Sequence, residues 1–537
     1  MLVGDEGWLG PVPALRHEVH FGDRLVRCFA ERPRSTHALL ADAVALNPDG
    51  EALVCGEERL SYAQLQSLVE RCAAGLRAAG MERGDRIAML LGNGVAFPIV
   101  LFAIMRIGAI AVPMSIREQT AGLAYMLSHV GASMLVHDAT LGDRLPDADA
   151  TPALRHRVAV DGAAPCSALP LLESVADLPP LDTREEDTAV VLYTSGTTGR
   201  PKGAMLTHLG ICHSVLHYQH CMALGPGDRS VAAVPMSHVT GVIALVAAMV
   251  RAAATLVVMP EFKASAFLEL AARERMTHTL MVPAMYNLCL LDRSFDPKRY
   301  PGWRVGAYGG APMAPATIAR FAEVLPDLKL MNAYGATETS SPVTLMPPVW
   351  TAARPDSVGR PLPCADVLVM DEQGREVEPG CAGELWLGGP MVVAGYWDDP
   401  KATDEGLVGG FWRSGDIGSK DTEGFVRVFD RKKDMINRGG YKIYSVEVEH
   451  ALMSFPGVLE AAVVARPCPV LGERVHAFVV AAEAIEPSRL KTHCASLLAD
   501  YKVPEGFTVA DQPLPRNANG KLLKRELRVP DTVGDSV

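Results

Sequence analysis

The chain has 537 residues, more than the roughly 250–300 at which a single hydrophobic core stops growing, so two or more domains are expected. Its composition, 49% hydrophobic and 21% charged, is ordinary for a soluble globular protein. A net charge of −11 argues against a nucleic-acid partner, because such proteins usually present a basic surface. The eleven cysteines are scattered without a Cys-x-x-Cys pair, which indicates reduced thiols and a cytoplasmic location.

No membrane segment is expected. Residues 1–10 include two acids and lack a basic start, so no signal peptide is apparent. The apolar stretches 95–114 and 242–259 are interrupted by charge, at Arg106 and Arg251. Each is better explained as a buried helix that leads into a buried strand.

Up to residue 331, short β-branched runs alternate with amphipathic patterns. Helices are expected over 61–79, 94–107, 120–130, 206–223 and 266–274, and strands over 86–91, 109–112, 133–136, 189–192, 230–234, 254–258, 279–281, 305–308 and 328–331. This alternation predicts a doubly wound sheet with right-handed crossovers. Residues 138–187, rich in Asp, Ala and Pro, are interpreted as a variable connection.

Beyond residue 350 the pattern changes to short strands separated by Gly, Pro and Asp turns, which favours a small barrel. The five consecutive charges of 430–434 are interpreted as a hinge. The remaining hundred or so residues alternate strands and helices, with Ser445 expected to cap a helix that ends near Met453. They predict a separate α+β domain.

The strand at 189–192 leads directly into Tyr-Thr-Ser-Gly-Thr-Thr-Gly-Arg-Pro-Lys-Gly at 193–203. Glycines allow backbone N–H groups to turn inward, hydroxyls add donors, and the two cations balance negative charge, so this loop is suited to a polyphosphate. It is not a Walker A loop, because position 201 is proline. The alternative is an ordinary surface turn, which is what most Ser/Thr/Gly/Pro clusters are.

The order of residues in this loop resembles the phosphate loop of the adenylate-forming superfamily, which includes acyl-CoA synthetases, luciferases and peptide-synthetase adenylation domains. The resemblance implies ATP binding by Thr194, Ser195, Gly196, Thr197, Thr198, Gly199 and Lys202.

A second motif, Asn332-Ala-Tyr-Gly-Ala-Thr-Glu338, resembles the same family's Tyr-Gly-x-Thr-Glu sequence. By this likeness Tyr334 stacks on adenine, Thr337 contacts the α-phosphate and Glu338 holds Mg²⁺, a hard cation that prefers oxygen ligands. The nucleotide site is then expected to include Asn332, Ala333 and Gly335 and, on its other wall, Gly310, Ala311 and Pro312.

Three further motifs follow in the family's order. Trp412-Arg-Ser-Gly-Asp416 resembles the ribose motif, with Asp416 accepting the ribose hydroxyls and Arg431 as its basic partner. The terminal Pro-x-x-x-x-Gly-Lys pattern ends at Lys521, which in the family reaches the substrate carboxylate and the α-phosphate. The family hinge falls at Lys433, and the coenzyme A face is expected at Gly439, Gly440 and Tyr441. Each motif alone is weak, but five in the right order indicate a nucleotide enzyme.

The acyl pocket is expected at His238, Val239, Gly309 and Gly335. Relatives that activate amino acids place an aspartate at the position of Val239, so an amino-acid substrate is disfavoured. Relatives restricted to acetate carry tryptophan at the position of Gly335, so glycine is expected to leave space for a larger acid. Two departures weaken the coenzyme A face: Asp430 replaces the usual glycine, and Tyr441-Lys442 replaces Glu-Asn.

The expected fold is α/β. A large N-terminal domain, residues 1–430, would contain two doubly wound α/β subdomains and a small β-barrel, and a small mobile α+β domain would follow at 431–537. The expected activity is that of an AMP-forming acyl-CoA synthetase that uses ATP, Mg²⁺ and coenzyme A on an apolar medium- or long-chain or aryl carboxylic acid. The alternatives are a ligase that loads an acyl carrier protein, a luciferase-like oxygenase and a non-enzymatic ATP-binding protein. A monomer or a homodimer is expected.

Overall fold

The computed structural model describes residues 7–162, 166–172, 178–179, 181–194, 200–516 and 522–528. The chain divides into two compact units. The large unit comprises Met1–Val367 and Trp386–Arg413, and the small unit comprises Leu368–Leu385 and Ser414–Val537. The functional boundary expected at 430/431 stays a prediction.

The described α-helices are α1 Thr36–Leu46, α2 Tyr62–Ala78, α3 Ala96–Arg106, α4 Thr120–Val130, α5 His208–Cys221, α6 Ala248–Arg251, α7 Ala264–Arg273, α8 Pro283–Leu291, α9 Pro315–Val324, α10 Pro400–Gly406, α11 Ser445–Met453, α12 Pro487–Leu497 and α13 Lys524–Leu527. Thr240–Ala247 form a π-helix directly before α6. Within the part of the chain that the structure covers, no helix is both long and apolar enough to cross a bilayer.

The strands up to residue 162 are β1 Leu15–His20, β2 Arg24–Phe29, β3 Glu51–Cys55, β4 Glu58–Ser61, β5 Arg86–Leu90, β6 Ile110–Pro113, β7 Met134–Asp138 and β8 His156–Val160. The next are β9 Thr188–Thr194, β10 Lys202–Thr207, β11 Arg229–Ala232, β12 Thr255–Val258, β13 His278–Met281, β14 Val305–Gly309, β15 Lys329–Ala336, β16 Ser341–Leu345 and β17 Arg360–Pro361. The last are β18 Asp366–Met370, β19 Gly383–Gly388, β20 Leu407–Val408, β21 Phe411–Lys420, β22 Val426–Arg431, β23 Ile436–Arg438, β24 Tyr441–Ile443, β25 Val458–Cys468, β26 Gly472–Ala481 and β27 Gly506–Ala510.

Two sheets organise the large unit. One has the strand order β10-β9-β6-β5-β7-β8 and the other β17-β16-β15-β14-β13-β11-β12-β3-β4. The inner strands of both pair in parallel, and antiparallel strands close the second sheet at both edges. Parallel strands joined through helices are the doubly wound pattern that the alternation predicts, so the α/β fold class is confirmed.

Local signals explain where most elements begin and end. Ser61 caps α2 through a capping box with Gln64, as its position before the helix predicts. The helix expected from residue 206 begins at His208 instead, because 202–207 form β10 and pair with β9. Strand β8 lies inside the stretch interpreted as a variable connection; it is an edge strand of five residues in which only Val160 is fully buried, so its hydrophobic signal is weak.

The small unit is an α+β assembly, as expected. Strands β25 and β26 form a long antiparallel pair, and β27 adds to β26 in parallel. Residues of α11 and α12, such as Leu452 and Leu490, pack into its core. The prediction that Ser445 caps α11 is wrong: Ser445 is the first helical residue, and the cap position is Tyr444, which makes no side-chain capping bond.

Helix α5 carries several histidines that are buried in the large unit. Nε2 of His213 accepts the N–H of Phe29 at 3.2 Å, and its Nδ1 donates to the carbonyl of Leu209 at 2.8 Å. Burial lowers the pKa of His213 to about 4, and burial also lowers the pKa of His208 to about 4. The folded protein therefore requires these imidazoles to be neutral.

We expect stability to depend on pH for this reason. The unfolded chain takes up protons near a pKa of about 6.5 and the folded chain does not, so stability is complete above this value and is lost as the pH falls toward 4. Each such histidine should lower the free energy of unfolding by about 1.4 kcal/mol per pH unit. Denaturant titrations between pH 8 and pH 5 measure this slope. His213→Gln should reduce this slope by the contribution of one proton. An equal slope in the variant would contradict a neutral, buried His213.

Candidate active site

The carboxylate of Glu338 lies at the centre of a buried polar cluster in the large unit. Glu338 is 8% exposed. Its Oε1 accepts the O–H of Tyr396 at 3.0 Å, and the hydroxyl of Thr194 lies at 3.4 Å from the same oxygen. The hydroxyl of Tyr396 in turn accepts the indole N–H of Trp412 at 3.3 Å. These contacts set the orientation of the carboxylate, the oxygen donor that Mg²⁺ prefers.

Lys202 is brought to the same cluster by strand pairing. Thr194 and Lys202 are cross-strand partners of β9 and β10, so the two ends of the predicted phosphate loop are adjacent. The Lys202 ammonium lies 5.1 Å from the centre of the Tyr396 ring. The loop residues between them that carry the motif, Ser195, Gly196, Thr197, Thr198 and Gly199, lie outside the described residues.

A cavity of about 310 Å³ adjoins Lys202. Two cations, Arg200 and Lys202, line it together with Tyr125 and His129 of α4. Asp399 lies on its wall and caps α10 through the N–H of Ala402. The cationic side of this cavity is chemically suited to an anion.

The two predicted adenine segments meet because their strands are neighbours. In the parallel pair β14–β15, Gly309 lies opposite Ala333. The exposed segment Gly310–Pro312 follows β14, and Gly310 has φ +77°, a conformation that favours glycine. Asn332 is buried, and Tyr334 follows one residue after Ala333 on the same strand.

The sequence predicted that Gly335 leaves space for a larger acid, and this explanation of the glycine is wrong. Strand β15 continues to Ala336, beyond the expected end, because β16 pairs with it antiparallel. A Cβ at position 335 would overlap the carbonyl oxygen of Ser341 on that neighbour. Glycine is therefore required by the close approach of two backbones, and its missing side chain does not create space for a substrate. Its assignment to the nucleotide and acyl sites stays a prediction.

The turn after Glu338 has an unusual backbone. Ser340 and Ser341 both have positive φ, 49° and 102°, which is costly for residues other than glycine. The hydroxyls of Tyr218 and Ser341 are 2.8 Å apart, and Thr339 Oγ1 donates to the Ser341 carbonyl at 2.8 Å. Strain of this kind is held by surrounding contacts and is frequent at functional sites. No feature of the sequence predicted it.

The predicted acyl residues His238 and Val239 lie immediately before the π-helix Thr240–Ala247. The Nδ1 of His238 accepts the N–H of Thr240 at 3.4 Å, and Val239 is 5% exposed. A π-helix is rare and is often found at functional sites. Val239 thus presents a buried apolar side chain beside this π-helix.

In the small unit, the predicted ribose residues form an ion pair across two strands. Asp416 of β21 and Arg431 of β22 are register partners, with Arg431 Nε at 2.8 Å from Asp416 Oδ1. Arg431 Nη1 also donates to the carbonyl of Ser414 at 3.1 Å. The Asp416 side chain is 6% exposed, so its partner offsets the cost of burying the charge.

The predicted coenzyme A residues form a tight hairpin in the small unit. Gly439 and Gly440 connect β23 to β24, with Arg438 opposite Tyr441. Their φ angles, 58° and 92°, are those of a type I′ turn, which accounts for both glycines. Tyr441 stacks on Tyr501 at 4.6 Å. Lys433 is exposed, and Lys521 lies outside the described residues.

Sequence reasoning missed Tyr396, which contacts Glu338 and lies beside Lys202. Its only signal is its place in Gly395-Tyr396-Trp397 before α10, and aromatic residues in glycine turns are too common to be diagnostic. The role of Trp412 in holding this tyrosine was missed for the same reason.

The chain is similar to a known family and to several known proteins. The family model described as AMP-binding enzyme matches residues 40–397, and that of the AMP-binding enzyme C-terminal domain matches 447–521. Feruloyl-CoA synthase from an Amycolatopsis species is 34% identical over 488 residues, which cover 90% of this chain and 96% of that protein. The fatty acid–[acyl-carrier-protein] ligase ScoC of Streptomyces coeruleorubidus is 33% identical over 494 residues, covering 90% of this chain and 93% of its own.

Solved structures give the same result. The o-succinylbenzoate CoA synthetase MenE of Bacillus subtilis, in complex with its acyl-adenylate intermediate, superposes with a TM-score of 0.83 at 27% identity, over 93% of this chain and 99% of that chain. The same synthetase in complex with ATP and magnesium ion gives a TM-score of 0.82 at 28% identity, over 91% and 98%.

We expect Tyr396→Phe to weaken Mg²⁺-dependent ATP binding about tenfold or more. The variant keeps the ring but removes a hydrogen bond to a buried carboxylate, a loss of about 1.5–3 kcal/mol for a charged partner. Calorimetric titration of ATP at several MgCl2 concentrations measures it. Tyr62→Phe is the matched control, because its hydroxyl donates to the buried carbonyl of Ala254 at 2.6 Å, away from the site. An equal change in both variants would contradict a specific role for Tyr396.

Proposed function

The chain belongs to the AMP-binding enzyme family, and we propose that it is an ATP-dependent acid–thiol ligase. It would activate a carboxylic acid as an acyl adenylate with release of pyrophosphate, and then transfer the acyl group to coenzyme A. The observation that most supports this proposal is the convergence of Thr194, Lys202 and Glu338 on one cluster of the large unit. A hydroxyl, an ammonium and a buried carboxylate are the groups needed to hold a metal–polyphosphate.

In the first half-reaction, a carboxylate oxygen of the acid attacks the α-phosphorus of ATP and pyrophosphate leaves. Both reactants are anions, so the protein must align them and neutralise charge, and it needs neither a nucleophile nor a general base. Lys202 and the loop donors would hold the phosphates, and Thr337 the α-phosphate. Glu338 would hold Mg²⁺, which when bound neutralises phosphate charge.

Residues of the small unit would act in both half-reactions. Asp416 and Arg431 would bind the ribose, and Lys521 would reach the acid carboxylate and the α-phosphate. For thioester formation, the C-terminal domain would turn about Lys433, withdraw Lys521 and present the hairpin at Gly439 and Gly440 to the thiol. The hairpin's sharp turn supports this, since its tip has no side chains at either glycine.

The acid is proposed to be apolar, of medium or longer length, or aryl. Val239 is buried and apolar, so an ammonium group would find no partner at this position. The relative named feruloyl-CoA synthase and the structural neighbour named o-succinylbenzoate CoA synthetase are both named for aryl acids. Gly335 does not contribute to this choice, because strand packing explains it.

The acceptor is proposed to be coenzyme A, with a carrier-protein phosphopantetheine as the second candidate. The relative ScoC is named as a ligase that acts on an acyl carrier protein, which supports the carrier protein as the second candidate. A monomer or homodimer in the cytoplasm completes the proposal. The cytoplasmic location fits eleven cysteines that form no disulfide.

Incubating the protein with ATP, Mg²⁺, coenzyme A and a panel of acids tests the proposal. Pyrophosphate release and the mass of the product identify the acid, and a phosphopantetheinyl carrier protein in place of coenzyme A identifies the acceptor. An apolar or aryl acyl-CoA is the expected product. Acid-dependent pyrophosphate release without any acyl-CoA would favour the carrier protein, and no release with any acid would refute the ligase.

We expect Lys521→Ala to slow adenylate formation by about 10²-fold or more, the scale of losing one positioned charge donor. Thioester formation from presynthesised acyl adenylate should persist, because this lysine is withdrawn in that step. Pyrophosphate exchange and thioester assays measure the two steps separately. Lys491→Ala, an exposed lysine of α12, is the control. Equal loss of both steps would refute the two-conformation mechanism.

A further inference from the structure

The segment that follows Lys521 is fastened to the small unit at its base. Arg516 and Leu522 form an isolated β-bridge, and the N–H of Leu523 donates to the carbonyl of Pro515 at 2.8 Å. Helix α13 begins at the next residue. The residues that flank 517–521 on either side are therefore held together, and α13 follows directly after them.

Lys524, the first residue of α13, enters a buried set of acids. Its ammonium lies 2.6 Å from Oε1 of Glu449 and donates to Oγ of Ser445, also at 2.6 Å. Its side chain is 13% exposed and that of Glu449 is 15% exposed. Glu449 also accepts the N–H of Val463 at 2.8 Å, which ties α11 to β25.

Asp430 is the second acid of this set, at the end of β22. It is 3% exposed, accepts the N–H of Arg431 at 2.8 Å and accepts the N–H of Ser445 at the start of α11. Burial raises the pKa of Asp430, and the nearby charge of Lys524 opposes that rise. Burial likewise raises the pKa of Glu449, again opposed by Lys524. The charge of one ammonium group thus favours the ionised form of two buried carboxyl groups.

Arg528, which follows α13, contacts the far end of the charged stretch 430–434. Arg528 Nη2 donates to the carbonyl of Lys433 at 2.9 Å and to Oδ1 of Asp434 at 2.6 Å. Arg528 therefore holds residues 433–434 directly. Lys524 reaches Asp430 only through Ser445, whose hydroxyl it bonds and whose N–H donates to Asp430.

We propose that Lys524 and Arg528 are positioning residues that fasten residues 522–528, which directly follow Lys521, to α11 and to Lys433 and Asp434, so that this segment keeps a fixed place in the small unit. The proposal rests on the proposed function, in which Lys521 acts in adenylation and Lys433 is the hinge. A lysine that must reach a reacting carboxylate gains rate only when its base is fixed, since misplacement by about 1 Å can cost about 10²-fold. Thioester formation does not use Lys521, so it should not depend on this fastening.

Lys524→Met tests the proposal through the two half-reactions. Its kcat for acid-dependent pyrophosphate exchange should fall about tenfold or more, with KM for ATP nearly unchanged and with normal conversion of presynthesised acyl adenylate to the thioester. Lys524→Arg, which keeps the charge, should restore most of the exchange rate. Lys502→Met is the matched control. Lys502 pairs at 2.7 Å with Glu447 of α11, the helix that also carries Glu449, but it lies outside residues 522–528. It should leave exchange unchanged.

A second variant covers the case in which Lys524→Met does not fold, since it leaves two buried carboxyl groups without their cation. Arg528→Gln keeps that cluster intact and removes the ties to Lys433 and Asp434; it should also slow exchange selectively. Equal slowing of both half-reactions in a folded variant, or no slowing in either variant, would overturn the proposal.

Amide hydrogen exchange separates this proposal from the proposed function. Protection of residues 522–528 should fall in Lys524→Met and Arg528→Gln and stay unchanged in Lys502→Met, whether or not an acid substrate is found. A wild-type protein without pyrophosphate exchange would refute the ligase, while the loss of protection would still support the fastening. Unchanged protection in both variants would refute the fastening itself.

Discussion

The arrangement of the large unit's site depends on burying the carboxylate of Glu338 with donors around it. A carboxylate removed from water is strongly disfavoured unless hydrogen bonds or opposite charges replace its hydration. The hydroxyls of Tyr396 and Thr194 supply this, and Trp412 holds Tyr396 in place. These residues come from separate stretches of the chain, so one buried charge determines how those stretches must meet.

The backbone around Glu338 is constrained as closely as its side chain. Strand β15 approaches β16 so tightly at Gly335 that no side chain fits, and the chain then turns through two serines with positive φ. The bond between Tyr218 and Ser341 holds that turn against α5. Because the strands on either side are rigid, the strain is concentrated in the turn that follows the carboxylate.

In the small unit, buried carboxylates lie on both sides of the end of strand β22. Successive residues of a strand point to opposite faces. Arg431 therefore pairs with Asp416 on one side of β22, and Asp430 meets Ser445 and the Lys524 cluster on the other. Asp430 is the residue that joins the charged stretch 430–434 to α11. Its side chain takes over the capping role that the sequence assigned to Ser445.

Local patterns in the sequence determined the alternation of strands and helices, the Ser61 cap and the motif segments at 193–203 and 332–338, because each depends on residues that are close along the chain. Only the tertiary structure decided the roles of Tyr396 and Gly335 and the pairing of edge strand β8. These depend on what lies opposite: Tyr396 and Thr194 are 58 and 144 residues from Glu338. Spacing along a chain carries no record of such contacts, since packing between elements brings them together.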